Sequence, residues 1–168
     1  MWDHAFHITY HLVLSEKELH FNISVYNPST ARPLNFNLLL HTYLKVPDVT
    51  RCSVDGLHEC HYIDKLRVGQ LFRESRKKVN VSSLTDRIYQ DTCQEHVITN
   101  VMCGKMRLKK HNLSDTVLWN PWHTSRGMKD MVDEEYQGMI CVEAGHVSNP
   151  VQLRPRNTFH AGQTLQVM

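Results

Sequence analysis

The fold is decided by the stretch Asn35-Phe36-Asn37-Leu38-Leu39-Leu40-His41-Thr42-Tyr43. Phe36, Leu38 and Leu40 are apolar, and the alternate positions 35, 37, 39, 41 and 43 carry two amides, a leucine, an imidazole and a phenol. This alternation predicts a strand whose successive side chains point to opposite faces, with the apolar face closing a core. The polar face needs hydrogen-bond partners, which the protein or a ligand can supply. From this stretch alone, His41 is either an imidazole satisfied by its own protein or part of a ligand site.

Similar alternation recurs on both sides of this central strand, which we place at 34–46. Residues 6–14 and 19–26 predict an antiparallel hairpin, and shorter alternating pieces follow between turn residues. The segment 138–147 is apolar enough for a buried strand, and 127–136 is the single predicted helix. Strands at short intervals with at most one helix predict an all-β fold, an antiparallel β-sandwich or barrel.

Composition narrows the classes of partner. The 168 residues suit one domain, of which 41% are hydrophobic, and the formal net charge is only +2. The basic runs at 73–78 and 105–110 are interrupted, which predicts solvated faces or guarded edge strands and no nucleic-acid partner. No apolar stretch reaches the roughly 18 residues of a membrane span, so no membrane partner is expected. Five scattered Cys, no C-x-x-C pair and no signal-like N-terminus predict a reduced, cytoplasmic protein.

A carboxylate in the middle of an apolar segment is the least expected feature of the chain. Glu143 lies within Met139-Ile140-Cys141-Val142-Glu143-Ala144, which is predicted to be buried. Burial disfavours the charged form and raises a carboxyl pKa unless the group is paired. Glu143 is therefore either a structural residue paired with an Arg or backbone amides, or a candidate general base.

Six segments, in order along the chain, resemble the glucose-6-phosphate 1-epimerases, or D-hexose-6-phosphate mutarotases, of the aldose 1-epimerase superfamily. The segments are Phe36-Asn37-Leu38-Leu39-Leu40-His41-Thr42-Tyr43, Val54-Asp55-Gly56-Leu57, Tyr62-Ile63-Asp64-Lys65, Asp86-Arg87-Ile88-Tyr89, Val117-Leu118-Trp119-Asn120-Pro121-Trp122 and Cys141-Val142-Glu143-Ala144-Gly145. The resemblance implies a galactose-mutarotase-like β-sandwich. It begins near the middle of the family's length, so 1–168 is expected to be the C-terminal portion of one sandwich domain, incomplete at its N-terminus.

The resemblance also implies roles for particular residues. His41 matches the family's catalytic His, Glu143 its catalytic Glu, and Asp86 an acid that holds sugar hydroxyls. Mutarotation opens the hemiacetal and recloses it on the other face, so it needs a base for the anomeric hydroxyl and an acid for the ring oxygen. We expect Glu143 to be the base and His41 the acid. The intermediate is a neutral aldehyde, so no cofactor and no metal are expected.

Two further residues are candidates for contact with a small-molecule sugar phosphate. Trp119 either offers an apolar platform to the sugar or packs over the rim of the sandwich. Asn37 shares the polar face of the central strand with His41. The phosphate requires Lys or Arg. The resemblance implies that Arg residues of the family's N-terminal portion, which has no counterpart in this chain, help to bind it, and Arg126 and Lys129 beside the tryptophan motif are the remaining candidates.

Two other functions remain open from the sequence. A chain incomplete at its N-terminus could be a catalytically impaired protein of the same fold that binds a carbohydrate or a partner chain. A zinc site is the second alternative, because one loop concentrates suitable residue types, although without a tight ligand pair: Cys52, His58, Cys60 and His61.

Overall fold

A computed structural model describes residues 3–102, 104–129 and 131–168 of the chain. These residues contain fourteen strands and four short 3-10 helices. The 3-10 helices are Val49–Arg51, Lys65–Arg67, Trp122–Gly127 and Glu135–Gly138. The strands are β1 His7–Leu14, β2 Glu18–Tyr26, β3 Leu34–Leu40, β4 Tyr43–Lys45, β5 Ser53–Asp55, β6 His61–Asp64, β7 Gln70–Arg73, β8 Lys78–Val79, β9 Thr85–Tyr89, β10 Glu95–Val101, β11 Gly104–His111, β12 Asp115–Asn120, β13 Met139–Leu153 and β14 Thr158–Val167.

The strands form two antiparallel sheets. The first sheet has the order β1-β2-β14-β11-β10-β5-β8, and the second has the order β3-β13-β12-β9-β6-β7, with β4 also paired to β13. One hydrophobic core draws buried side chains from both sheets, such as Ile98 and Leu108 from the first and Leu118, Ile140 and Val142 from the second. This arrangement confirms the predicted all-β antiparallel sandwich.

The central stretch keeps its alternation across a short break. β3 ends at Leu40 and β4 begins at Tyr43, yet both lie against β13 in one register, Leu40 opposite Ala144 and Tyr43 opposite Cys141. β3 approaches β13 closely at Gly145, where an added Cβ would lie 3.0 Å from the Leu38 carbonyl oxygen. An added Cβ would also lie 2.7 Å from Cδ1 of Leu39 and 2.8 Å from Cγ2 of Val147, so these two side chains would have to move to admit a larger residue.

The helix predicted at 127–136 is wrong for the residues that the structure describes there; Asp130 lies outside them. Met128 is extended (φ −89°, ψ 130°) and Glu134 is left-handed (φ 67°), and neither conformation fits an α-helix. Tyr136 is buried, and its ring lies 5.1 Å from the ring of Trp122. We infer that packing of this aromatic side chain, rather than helix propensity, decides the path of the segment.

The first hairpin is confirmed, since β1 pairs with β2 over all eight of its residues. β1 is also the terminal strand of its sheet, and all its side chains are exposed, including Ile8, Tyr10, Leu12 and Leu14. Among the described residues, the structure contains no helix of the length and apolar character needed to cross a membrane.

Candidate active site

The candidate site lies on the outer face of the second sheet. Four directly paired residues run across it from β9 to β4: Asp86 opposite Trp119, Trp119 opposite Cys141, and Cys141 opposite Tyr43. Directly opposed residues of antiparallel strands project to the same face. The register therefore brings an acid, an indole, a thiol and a phenol into one row, although they come from four separate parts of the chain.

Glu143 projects to the same face, because it lies two residues beyond Cys141 on β13. Its side chain is only 1% exposed, and neither carboxyl oxygen has a hydrogen-bond partner among the described residues. Burial, followed by the negative charge of Asp86, raises the pKa of Glu143 to about 8, and Lys65 opposes this shift. The predicted burial and upward pKa shift of Glu143 are both confirmed.

His41 lies opposite Glu143, since the register on both sides of the break places it there. Its Nδ1 is 3.4 Å from Oε1 of Glu143. The imidazole is 46% exposed, so a buried carboxyl group lies beside a half-exposed base. Burial lowers the pKa of His41, and a backbone hydrogen bond and the charge of Asp86 oppose that shift.

The two pKa shifts decide how the pair holds its proton. A raised pKa at Glu143 and a lowered pKa at His41 favour a neutral carboxyl group beside a neutral imidazole. Moving one proton from Glu143 to His41 gives a carboxylate beside an imidazolium without changing the net charge. The pair can therefore present one acid and one base to a bound molecule in either arrangement.

Two aromatic rings hold the imidazole in place. The His41 ring stacks on the Tyr43 ring at 4.8 Å and 14°, and Trp119 meets it edge-on at 5.6 Å. Trp119 thus packs beside the acid–base pair at the surface of the second sheet. This contact agrees with the packing role considered for Trp119, and a sugar-platform role for it stays a prediction.

Asp86 is held by a lysine that the sequence reasoning did not select. Nζ of Lys65 lies 2.9 Å from Oδ2 of Asp86, whose side chain is 20% exposed. Lys65 follows directly after β6, the strand beside β9 in the second sheet. The segment Tyr62-Ile63-Asp64-Lys65 is one of the six that carry the family resemblance. The contact between its lysine and Asp86, however, depends on the order of the strands in the sheet.

Asn37 stands apart from this row. It precedes His41 by four residues on the same face, which is about 13 Å along an extended chain. Its Nδ2 donates to the Val147 carbonyl oxygen at 2.9 Å, so its amide ties β3 to an irregular part of β13. A substrate contact for Asn37 stays a prediction.

A cleft of about 830 Å³ opens beside Tyr43, at the end of the row opposite to Asp86. Its lining includes one lysine, Lys45, and three acids, Asp133, Glu134 and Glu135. Arg126, a candidate phosphate contact from the sequence, has its Nη2 3.5 Å from Oε1 of Glu134. This end of the row is therefore mainly acidic, whereas the acid at the other end, Asp86, is paired with Lys65.

The residues of the site do not favour a metal ion. His41, Cys141 and Glu143 are the one group of possible ligands in the described part of the chain, with ligand atoms within 4.8 Å of one another. Burial raises the pKa of both the Cys141 thiol and the Glu143 carboxyl group, and a metal needs both deprotonated. The loop considered for zinc does not assemble among the described residues: Cys52 is buried in the core, and its Sγ lies 3.4 Å from both the Asp48 and the Asn100 carbonyl oxygens, which share its one proton.

Proteins similar to this chain in sequence share one description. A protein from Cenchrus ciliaris described as "Putative glucose-6-phosphate 1-epimerase" is 30% identical over 159 residues, which are 92% of this chain and 48% of that protein. A protein of the same description from Escherichia coli K12 is 28% identical over 76% of this chain and 44% of its own length. The chain thus spans about half the length of the curated relatives it matches.

Solved structures share the fold. A "putative mutarotase" from Salmonella typhimurium superposes with a TM-score of 0.86 at 23% identity, over 98% of this chain and 54% of that one. A "Putative aldose 1-epimerase" from Escherichia coli K12 gives a TM-score of 0.78 at 11% identity, over 98% and 61%. They confirm the expected mutarotase-type sandwich. The profile of the family described as "Aldose 1-epimerase" matches residues 1–166, and the chain therefore belongs to the aldose 1-epimerase family.

Proposed function

We propose that the protein interconverts the α and β anomers of a hexose 6-phosphate by acid–base ring opening. One observation carries the proposal: a buried carboxyl group without hydrogen-bond partners in the described residues faces an imidazole at 3.4 Å. Such a group costs folding free energy, which is typical of a functional residue. The family and the relatives' descriptions support the reaction type and the phosphorylated sugar.

The reaction moves two protons. The Glu143 carboxylate accepts the proton of the anomeric hydroxyl, and the C1–O1 bond becomes a carbonyl. The bond between C1 and the ring oxygen breaks, its electron pair stays on the ring oxygen, and the His41 imidazolium protonates that atom. Rotation about C1–C2 then presents the other face of the aldehyde, and the same steps in reverse close the ring.

The opened state is the one in which the pair is most stable. After ring opening, Glu143 carries a proton and His41 is neutral, which is the arrangement that the two pKa shifts favour. The carboxylate–imidazolium pair that starts the reaction is formed from this arrangement by moving one proton from Glu143 to His41, so the free energy that this transfer costs is returned as the ring opens. Asp86, on the same face and one-fifth exposed, is proposed to accept hydrogen bonds from sugar hydroxyls.

The test is the rate of anomer exchange of glucose 6-phosphate, measured by NMR exchange spectroscopy. We expect Glu143→Gln to slow exchange by about 10²- to 10⁴-fold, which is the usual contribution of a general acid or base. Glu16→Gln, an exposed glutamate in the turn between β1 and β2, is the matched control and should match the wild type. A wild-type rate no faster than that of Glu143→Gln would refute the proposal.

The exposed strand β1 favours a second candidate, a protein of the same fold that binds a carbohydrate or a partner chain without catalysis. An unpaired edge with apolar side chains is a surface suited to association. Size-exclusion chromatography coupled to light scattering, together with the exchange assay, separates the two. A monomer that exchanges anomers excludes this candidate, and an associated, inactive chain supports it.

A further inference from the structure

The row of site residues has unlike charges at its two ends. At the β4 end, the cleft beside Tyr43 is lined by three acids and one lysine. At the β9 end, Lys65 and Arg67 belong to one exposed turn, with side chains 55% and 64% exposed. They pair with the acids Asp86 and Asp64, and Arg87 adds a third positive charge beside Asp64. A phosphate group carries a charge of about −1.5 to −2 at pH 7, so it is repelled at the first end and attracted at the second.

The turn that carries Lys65 is fixed by its neighbours. Oδ1 of Asp64 accepts a hydrogen bond from the Leu66 N–H at 3.0 Å and so caps the 3-10 helix Lys65–Arg67. Oδ2 of the same carboxylate lies 3.5 Å from Nε of Arg87 on the neighbouring strand β9. The backbone of Lys65 is therefore held in place, and its long side chain extends from it to the row of site residues.

Lys65 can serve two acceptors at once. An ammonium group has three N–H donors, and Asp86 takes one of them at 2.9 Å. Two donors are left for an acceptor that arrives from solvent. The charge of Lys65 also reaches the acid–base pair, since it lowers the pKa of Glu143. β9 lies two strands from β13, or about 9–10 Å, a span that a phosphorylated hexose can bridge.

We propose that Lys65 is the specificity-determining residue for the phosphate: the 6-phosphate lies over the turn at the Asp86 end and is contacted by Lys65. This rests on the proposed function, and it adds the orientation of the sugar and the residue that selects its phosphorylated form. Arg67 lies on the same turn, with its guanidinium over the Phe72 ring at 5.2 Å, and adds a second positive charge.

The test compares two sugars in three variants. For Lys65→Met, the ratio of kcat/KM for glucose 6-phosphate to kcat/KM for glucose should fall about tenfold or more, mainly through KM, because a charged hydrogen bond is lost. Lys65→Arg keeps the charge and should retain most of the ratio. Lys45→Met removes an exposed lysine at the acidic end and should leave the ratio within about twofold. An unchanged ratio in Lys65→Met would show that Lys65 only positions Asp86, and would overturn the proposal.

A binding measurement separates this proposal from the proposed function. Glucitol 6-phosphate has no anomeric centre, so calorimetry with it reports phosphate recognition without catalysis. We expect it to bind the wild type more tightly than glucitol does, with a tenfold or larger loss in Lys65→Met. If the wild type fails to exchange anomers yet shows this loss, the function fails and the phosphate contact stands. Equal binding to wild type and Lys65→Met, or no binding to either, overturns the contact itself.

Discussion

Glu143 should make the protein less stable at neutral pH than it would be with a glutamine there. The carboxyl pKa is about 8 in the folded protein against an ordinary value of 4.5. A carboxyl group whose pKa is raised by folding binds its proton more tightly in the folded chain. Ionisation of this group therefore lowers the free energy of unfolding by an amount that grows as pH rises from 4.5 to 8. Glu143→Gln removes this ionisation and keeps the shape of the side chain.

The magnitude follows from the two pKa values. Ionisation of Glu143 costs the folded state less than about 1 kcal/mol at pH 5, about 3 kcal/mol at pH 7 and about 5 kcal/mol near pH 9. The side chain is 1% exposed, so solvent screens little of this cost. A glutamine amide in the same place also has unmet hydrogen bonds, but that penalty does not change with pH. We therefore expect a stability gain that grows with pH.

Urea denaturation of the wild type and Glu143→Gln at pH 5, 7 and 9 measures this gain as a difference in the free energy of unfolding. Glu16→Gln, with an exposed side chain, should show no comparable trend. A Glu143→Gln variant that is no more stable than the wild type at pH 7 contradicts the reasoning. So does a gain of equal size at pH 5 and pH 9, because it would come from packing rather than from ionisation.

The remaining predictions concern one residue of the site and one of the core. His41→Gln should slow anomer exchange of glucose 6-phosphate by about 10²- to 10⁴-fold in the NMR assay while its urea midpoint stays near that of the wild type, because the side chain is half exposed; an active variant would remove His41 from the mechanism. Tyr89→Phe should lower the free energy of unfolding by about 1–3 kcal/mol, since the buried Tyr89 hydroxyl donates to Oε2 of Glu74 at 2.8 Å; a neutral result in urea denaturation would mean that the other partners of Glu74 satisfy that oxygen.

The strands could be predicted because their information is local. Alternation over 6–14, 19–26 and the central stretch predicts strands, and the structure places strands in each. It also predicts which side chains of the central stretch face outward, including His41. The exposure of β1 could not be predicted in this way, because alternation shows that a strand has two faces without showing what covers them.

The site depended on information that is not local. His41 and Glu143 are about a hundred residues apart in the chain, and only the pairing of β3 and β4 with β13 makes them neighbours. The family resemblance points to both residues without knowledge of this register. Lys65 was missed because its role depends on β6 lying beside β9, which no pattern within β6 indicates. The wrong helix had apolar residues at helical spacing but acids at its C-terminal end, which oppose the helix dipole, and Glu134 is left-handed in the structure.

The aromatic stack around His41 has a consequence for the entropy of the proposed reaction. His41 lies between two strand segments rather than within one, yet its ring is held by Tyr43 and Trp119. An imidazole that is free to choose among rotamers would have to be ordered each time a sugar arrives, at a cost of about 1 kcal/mol. Here that ordering is completed when the protein folds. For the proposed reaction, this removes an entropic cost of that size from the activation barrier.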